Sequence, residues 1–191
     1  MSRPDHEDAE AEAVFTELYH ATARDVLAFL LRRCGTAEDA ADCLAETYMI
    51  VWSKRHTLPN SGEARPWLFG VARNVMHRNR ERTHRTDALA QQLASALAIS
   101  TPEQTTTTTD DRTDTQDRLM DALAELSEID QEILKLTVWD GLSPTETATA
   151  LRLSPNLVRV RAHRARAKLK AALASSHDLA AHRSEERHAG A

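Results

Sequence analysis

An all-α chain is predicted, organised as two small helical domains joined by a flexible linker, the second a helix-turn-helix. Three observations predict it. Ala, Leu and Arg are the commonest of the 191 residues, Glu is frequent, and all four favour helices. Only five glycines occur and no apolar residues alternate over a strand's length. Between two helical blocks lies "STPEQTTTTTDDRTDTQ", with five consecutive threonines and almost nothing apolar, a flexible-linker composition.

The N-terminal block is read as residues 11–85. Residues 1–10 are acidic and read as disordered. From Ala11 the spacing turns helical: Phe15, Leu18 and Tyr19, then Val26, Leu27, Leu30 and Leu31. Gly35 after "LLRRC" reads as a helix C-cap. Thr36 reads as the N-cap of the next helix, with Asp39 three residues on. That helix carries Leu44, Tyr48, Val51 and Trp52 and is expected to stop near His56. "TLPNSGEARP" reads as a loop, with Pro66 in the first turn of a helix that carries Trp67, Leu68, Val71, Ala72 and Val75.

The linker is placed at 86–116, with room for a short helix over "DALAQQLASALA". The C-terminal block spans 117–173. Leu119, Leu123 and Leu126 mark one helix. Ser127 caps a second, with Ile129, Ile133, Leu136 and Trp139 inside, ended by Asp140-Gly141. Ser143, Pro144 and Glu146 supply N-cap, N1 and N3 of a short third helix that ends near Leu151. Ser154 and Pro155 open a fourth, and residues 174–191 form a polar tail.

That fourth helix carries the strongest functional signal. From Leu153 to Lys170 it holds six Arg and Lys and no acid, in a chain of net charge −5. Val158, Ala162, Ala165 and Leu169 form an apolar stripe, and Arg159, Val160, His163 and Arg164 share a different face. A short helix, a tight turn and a basic helix make a helix-turn-helix, whose second helix reads the major groove while flanking cations neutralise phosphates.

A second basic stretch holds Arg65, Arg73, Arg78, Arg80, Arg82 and Arg85 with His77 and His84, interleaved with Asn74 and Asn79. Two basic helices on one tether suit bipartite nucleic-acid binding, because the tether raises the effective concentration of the second contact. Trp67 and Phe69 could stack on bases, although Trp67 reads first as core. Asp39, Asp42 and Glu46 have the opposite sign and share one helical face. DNA would repel them, and a basic protein partner would not.

The remaining classes are excluded by what is missing. No Gly-rich phosphate loop, nucleophile elbow or metal-ligand set appears, so neither an enzyme nor a cofactor or metal site is expected. His177, His182 and His188 lie in the tail. Cys34 and Cys43 form no Cys-x-x-Cys pair and read as buried or half-buried thiols. With no signal peptide or long apolar run, the protein is expected in the cytoplasm without membrane insertion.

Three segments in this order resemble the extracytoplasmic-function group of RNA polymerase sigma factors: "AEDAADCLAETYMIVWSKR", "ARPWLFGVARNVMHRNRERTHR" and "LSEIDQEILKLTVWDGLSPTETATALRLSPNLVRVRAHRARAKL". The resemblance implies core RNA polymerase and promoter DNA as partners, and an anti-sigma protein as regulator. It implies that Asp39, Asp42 and Glu46 meet the polymerase. It assigns the −10 element to Arg65, Arg73, Asn74, His77, Arg78 and Arg80. Asn60 and Ser61 lie in the loop Thr57–Ala64, which would receive an unstacked base. The −35 element falls to Pro155, Asn156, Arg159, Val160, His163 and Arg164. The chemistry stays with the polymerase.

Some positions depart from the family pattern. Arg152 replaces a common turn glycine, and a left-handed backbone there costs about 1 kcal/mol, so a rearranged turn is expected. Asn156 and Leu157 stand where Gly and Thr are common. Val160 gives up a hydrogen bond but can meet a thymine methyl. Thr147 replaces an aliphatic core residue. Two rival readings remain: a stand-alone helix-turn-helix DNA-binding regulator, and a degenerate sigma factor that titrates a partner. The stand-alone regulator would not need Asp39, Asp42 and Glu46, and the departures at 152 and 156–157 favour the degenerate form.

Overall fold

A computed structural model describes residues 3–96 and 120–171, and every regular element in them is helical. In chain order these are α1 (Arg3–Leu31), α2 (Ala37–Ser53), a 3-10 turn (Arg55–Thr57) and α3 (Ser61–Ala96). There follow α4 (120–124), α5 (Glu128–Leu134), a π segment (Lys135–Trp139), α6 (Pro144–Leu151) and α7 (155–171). The chain divides into two compact units, the first comprising α1–α3 and the second most of α4–α7.

Three helices build the first core. Val26, Phe29 and Leu30 from α1 meet Ala40, Cys43 and Val51 from α2, and Leu68, Phe69, Ala72 and Val75 from α3; all are buried. Phe29 and Phe69 pack edge to face at 5.4 Å, the orientation their ring quadrupoles favour. The buried Thr22 hydroxyl and Tyr48 phenol satisfy each other at 2.9 Å. The α1–α2 corner follows from its cap: the Thr36 hydroxyl accepts the Asp39 N–H at 3.0 Å and donates to its carboxylate at 2.8 Å.

Several boundaries differ from the sequence expectations. Helix α1 begins at Arg3, so residues 3–10 are helical rather than disordered. One physical reason is Asp8, which Arg55 and His56 hold from the neighbouring 3-10 turn. Gly35 does not take the left-handed cap conformation; among the described glycines only Gly141 has positive φ. The loop before α3 is shorter than expected, because the Asn60 carbonyl accepts the N–H groups of Glu63 and Ala64 and starts the helix there. Pro66 therefore sits in the second turn, where the carbonyl its ring approaches belongs to Gly62. Helix α3 also runs unbroken past residue 85 to Ala96. Its continuation, "TDALAQQLASA", is rich in good helix formers. The threonine run, the three tail histidines and Leu119 lie outside the described residues.

In the second unit, Leu123, Leu126, Leu134 and Ala165 form a buried cluster with Leu169 packed against it. The expected helix from Ser127 stops being α-helical after Leu134. There the Thr137 hydroxyl donates to the carbonyls of Ile133 (2.8 Å) and Leu134 (3.2 Å), and the next turn widens to a π spacing closed by Asp140 N–H to Lys135 C=O. Trp139 is the last residue of that π segment, with its side chain exposed. The capping box of α6 forms as expected: Ser143 N–H donates to the Glu146 carboxylate at 2.8 Å, and Glu146 N–H to the Ser143 hydroxyl at 3.2 Å.

The turn between α6 and α7 is not rearranged. Arg152 adopts φ 55°, the conformation a glycine would take. Its N–H bonds the Thr149 carbonyl (3.3 Å) and Leu153 N–H bonds that of Ala148 (2.9 Å), the paired bonds of a Schellman ending. Two orphan carbonyls are thereby satisfied, which offsets the strain of a side chain at positive φ. Thr147 carries a different cost. It is fully buried, and its hydroxyl has no hydrogen-bond partner among the described residues.

Two stability predictions follow from these positions. Thr147→Val keeps the shape and removes a desolvated hydroxyl, so it should stabilise the C-terminal unit by about 1 kcal/mol. Arg152→Gly relieves about 1–2 kcal/mol of backbone strain but adds roughly 0.5–1 kcal/mol of unfolded-state entropy, for a net gain of about 0.5 kcal/mol. Urea unfolding followed by far-UV circular dichroism should show both midpoints rising, Thr147→Val the more.

Candidate nucleic-acid interface

Packing sorts the side chains of α7 by direction. Val158, Ala162 and Ala165 are buried, and Ser154 opens the helix by accepting the Leu157 N–H at 3.3 Å. With that stripe inside, Pro155, Asn156, Arg159, Val160, His163 and Arg164 all lie exposed, as do Arg166, Lys168 and Lys170. The exposed set offers hydrogen-bond donors, one apolar surface at Val160 and a run of cations, which suits base edges flanked by phosphates.

Arg161 is the exception among these cations. Its Nε donates to Asp130 Oδ1 at 2.8 Å and its Nη2 to the Ser127 hydroxyl at 3.0 Å. Asp130 in turn accepts from Ser127 at 2.6 Å, so the N-cap of α5 and the middle of α7 form one charged network. Arg161 positions the helix rather than facing outward. Local spacing places Arg161 beside the stripe, three residues after Val158, but does not show its partner, since Asp130 lies 31 residues away.

In the first unit the candidate residues fall on α3 and the segment before it. Asn60, Ser61, Asn74, His77, Arg78 and Arg80 are exposed, and Arg73 is half-buried. Trp67, Val71, Asn74 and Arg78 follow one another up a single face of α3 and line a shallow recess with Ile50 of α2, Lys54 just after it and Pro59 of the loop. Trp67, read as core, is only half-buried and available to a flat partner at this recess, whereas Phe69 is buried core. Arg65 turns back toward the protein: its guanidinium lies 5.1 Å from the Phe69 ring centre and 3.4 Å from Asp25 of α1.

The acidic stripe is engaged too. Arg78 donates to Glu46 at 3.0 Å, and Asn79 donates to Asp39 at 3.3 Å while accepting from Arg82 at 2.7 Å. Asp42 is exposed and solvent-facing. The acidic and basic helices thus share one seam, along which two candidate partner contacts (Asp39, Glu46) meet the candidate DNA face. The Arg78–Glu46 pair is open to solvent, so it is weak and either member can exchange partners. Asn79, not among the expected site residues, is a second link between the two helices.

The cysteines carry no chemistry here. Burial pushes the Cys43 thiol up to about 12 and raises that of Cys34 as well, so both stay protonated and poorly nucleophilic. Among the described residues no group of three or more His, Cys, Asp or Glu could hold a metal, and no helix is long and apolar enough to cross a membrane.

Two family models match the sequence: "Sigma-70 region 2" over residues 18–86 and "Sigma-70, region 4" over residues 116–169. The chain is 31% identical over 166 residues to the ECF RNA polymerase sigma factor SigL of Mycobacterium tuberculosis, covering 85% of this chain and 90% of that protein. It is 33% identical over 156 residues to the RNA polymerase sigma factor NccH of Alcaligenes xylosoxydans xylosoxydans, covering 78% and 82%. Among solved structures it is similar to CnrH in complex with the cytosolic domain of CnrY, with TM-score 0.54, 26% identity, and coverage of 88% of this chain and 96% of that one.

The positions on α7 can be told apart by mutation. Arg161→Ala leaves the partly buried Asp130 carboxylate without its charged donor and should destabilise the C-terminal unit by about 1–3 kcal/mol. Arg164→Ala, at an exposed position, should change stability by no more than about 0.5 kcal/mol. Thermal unfolding of the two variants reads the difference directly.

Proposed function

This chain belongs to the extracytoplasmic-function group of RNA polymerase sigma factors, which direct promoter-specific transcription, and on that premise we propose how its residues divide the work. The C-terminal helix-turn-helix reads the −35 element through Pro155, Asn156, Arg159, Val160, His163 and Arg164. The observation that carries this is the one-sided exposure of that set on α7, away from the buried Val158, Ala162 and Ala165. Arg159 and Arg164 can pair with guanine edges or phosphates, and Val160 can rest on a thymine methyl.

The N-terminal unit takes the −10 element. Asn74, His77, Arg78 and Arg80 project from α3, and Trp67 with Asn74 and Arg78 offers a recess that suits a stacked or unstacked base. Asn60 and Ser61 stand at the entry to α3, where exposed polar groups on a short loop can reach a displaced base. Arg73 and Arg65, more withdrawn, support the backbone side of the same surface. Melting is favoured because bases held out of the stack no longer contribute to duplex stability.

Asp39, Asp42 and Glu46 face a basic surface of core polymerase. Asp42 is the member best placed for a direct contact, since Asp39 and Glu46 already have partners on α3. Bond making stays with the polymerase, and the sigma subunit acts as a non-catalytic selector working where that enzyme works, in the cytoplasm. An anti-sigma protein is the proposed regulator. The similar protein CnrH was solved with the cytosolic domain of a second protein, CnrY, which supports a protein ligand for this chain as well.

Charge reversal separates this reading from a stand-alone regulator. Asp42→Lys should weaken binding to bacterial core polymerase about tenfold or more, because like charges then meet at the contact. Binding of the C-terminal unit to a −35 duplex should stay unchanged. Arg159→Ala should do the opposite: core binding holds, while promoter binding drops by about 1–3 kcal/mol and preference relaxes at one base pair. If Asp42→Lys leaves both core binding and transcription intact, the polymerase-docking role of the stripe is wrong.

A further inference from the structure

The first turns of α1 touch the neighbourhood of the −10 surface. Asp8 Oδ1 accepts from Arg55 Nη2 at 2.9 Å and lies 3.0 Å from His56 Nε2. Arg55 is steadied from beneath, its guanidinium 4.7 Å from the centre of the Trp52 ring. Both Arg55 and His56 sit in the 3-10 turn that runs directly into the loop before Ser61. Glu7 and Glu10 line the same shallow recess as Arg55, His56 and Pro59. Pro59 also lines the recess of Trp67, Asn74 and Arg78, so the acidic recess and the candidate base-binding recess share a wall.

One oxygen that receives a guanidinium and an imidazole together is the contact pattern a DNA phosphate oxygen would take. We propose that Arg55 and His56 are DNA-backbone contacts of the −10 site, and that Asp8 is their built-in competitor, occupying in the free protein the place of a phosphate. This rests on the sigma-factor reading. The hydrogen bond from Arg55 holds the Asp8 carboxyl below its ordinary pKa, so the competitor is ionised at neutral pH. Asp8 is largely exposed, at 60% of its side-chain surface, so the contact screens the Arg55 charge and occupies the His56 ring nitrogen without locking either, and DNA can displace it. An acidic stretch that the sequence presents as a disordered tail thereby has a defined target.

The test is equilibrium binding of holoenzyme, reconstituted from core polymerase and the full chain, to a labelled forked fragment of a promoter it transcribes. Asp8→Asn should tighten binding about 2–5-fold at low salt, with the gain fading at high salt. Arg55→Ala should weaken binding and reduce the salt slope by about one. In the Arg55→Ala background Asp8→Asn should have little further effect. Glu17→Gln, the same charge change elsewhere on α1, serves as control and should move binding less than Asp8→Asn does. Circular dichroism should confirm that each variant is folded. The proposal is overturned if Asp8→Asn binds no tighter than wild type, if Glu17→Gln gives the same gain, or if the gain persists without Arg55. If wild-type holoenzyme selects no promoter at all, the sigma-factor reading fails first and this proposal falls with it.

Discussion

Burial of Val158, Ala162 and Ala165 decides which way every cation of α7 points. With 3.6 residues per turn, an apolar stripe at these positions leaves its neighbours no choice of side. The stripe is made of small residues, which bring the backbone of α7 close to the cluster of Leu123, Leu126 and Leu134. The partly buried Arg161–Asp130–Ser127 network adds direction to what apolar contact alone would leave free to rotate. A helix fixed in rotation can present Arg159, Val160, His163 and Arg164 as one surface. A helix free to roll would spread the same residues over many orientations and read no sequence.

The first unit uses charge in another way. Helices α2 and α3 carry opposite signs, and along their seam Asp39 meets Asn79 and Glu46 meets Arg78. These contacts lie at or near the surface, where each contributes little to stability. They therefore hold the helices in register without consuming the charges, which remain available to stronger partners. The net charge of −5 averages over these surfaces and conceals them. Asp8 on Arg55 and His56 repeats the device at the other end of α2: a solvent-open acid rests on a guanidinium and an imidazole beside the proposed nucleic-acid surface.

Much of this was legible in the sequence wherever periodicity and capping chemistry agreed. The Thr36 and Ser143 caps, the α7 stripe and its exposed face all follow from spacing alone. What was not legible depended on contacts distant in sequence. Asp8 lies 47 residues from Arg55, so no local pattern could show that the acidic start is helical and anchored. Asp130 and Arg161 are 31 apart, which hid the structural role of one arginine among six basic residues. Arg152 failed as a local rule in the opposite direction. Residue preference argued for a rearranged turn, but two hydrogen bonds from the ending of α6 outweigh the preference. The π turn at Lys135–Trp139 depends on where the Thr137 hydroxyl bonds, and side-chain bonding of that kind leaves no periodic trace.

The central claim is that one chain joins two DNA-reading surfaces to a polymerase-binding stripe. Run-off transcription with bacterial core polymerase and a pool of promoter fragments, with and without this protein, tests it most directly. The account predicts transcripts that start only when the protein is present, from fragments sharing two upstream motifs at fixed spacing. Core polymerase that binds the protein yet starts nowhere, or start sites that share only one motif, would contradict it.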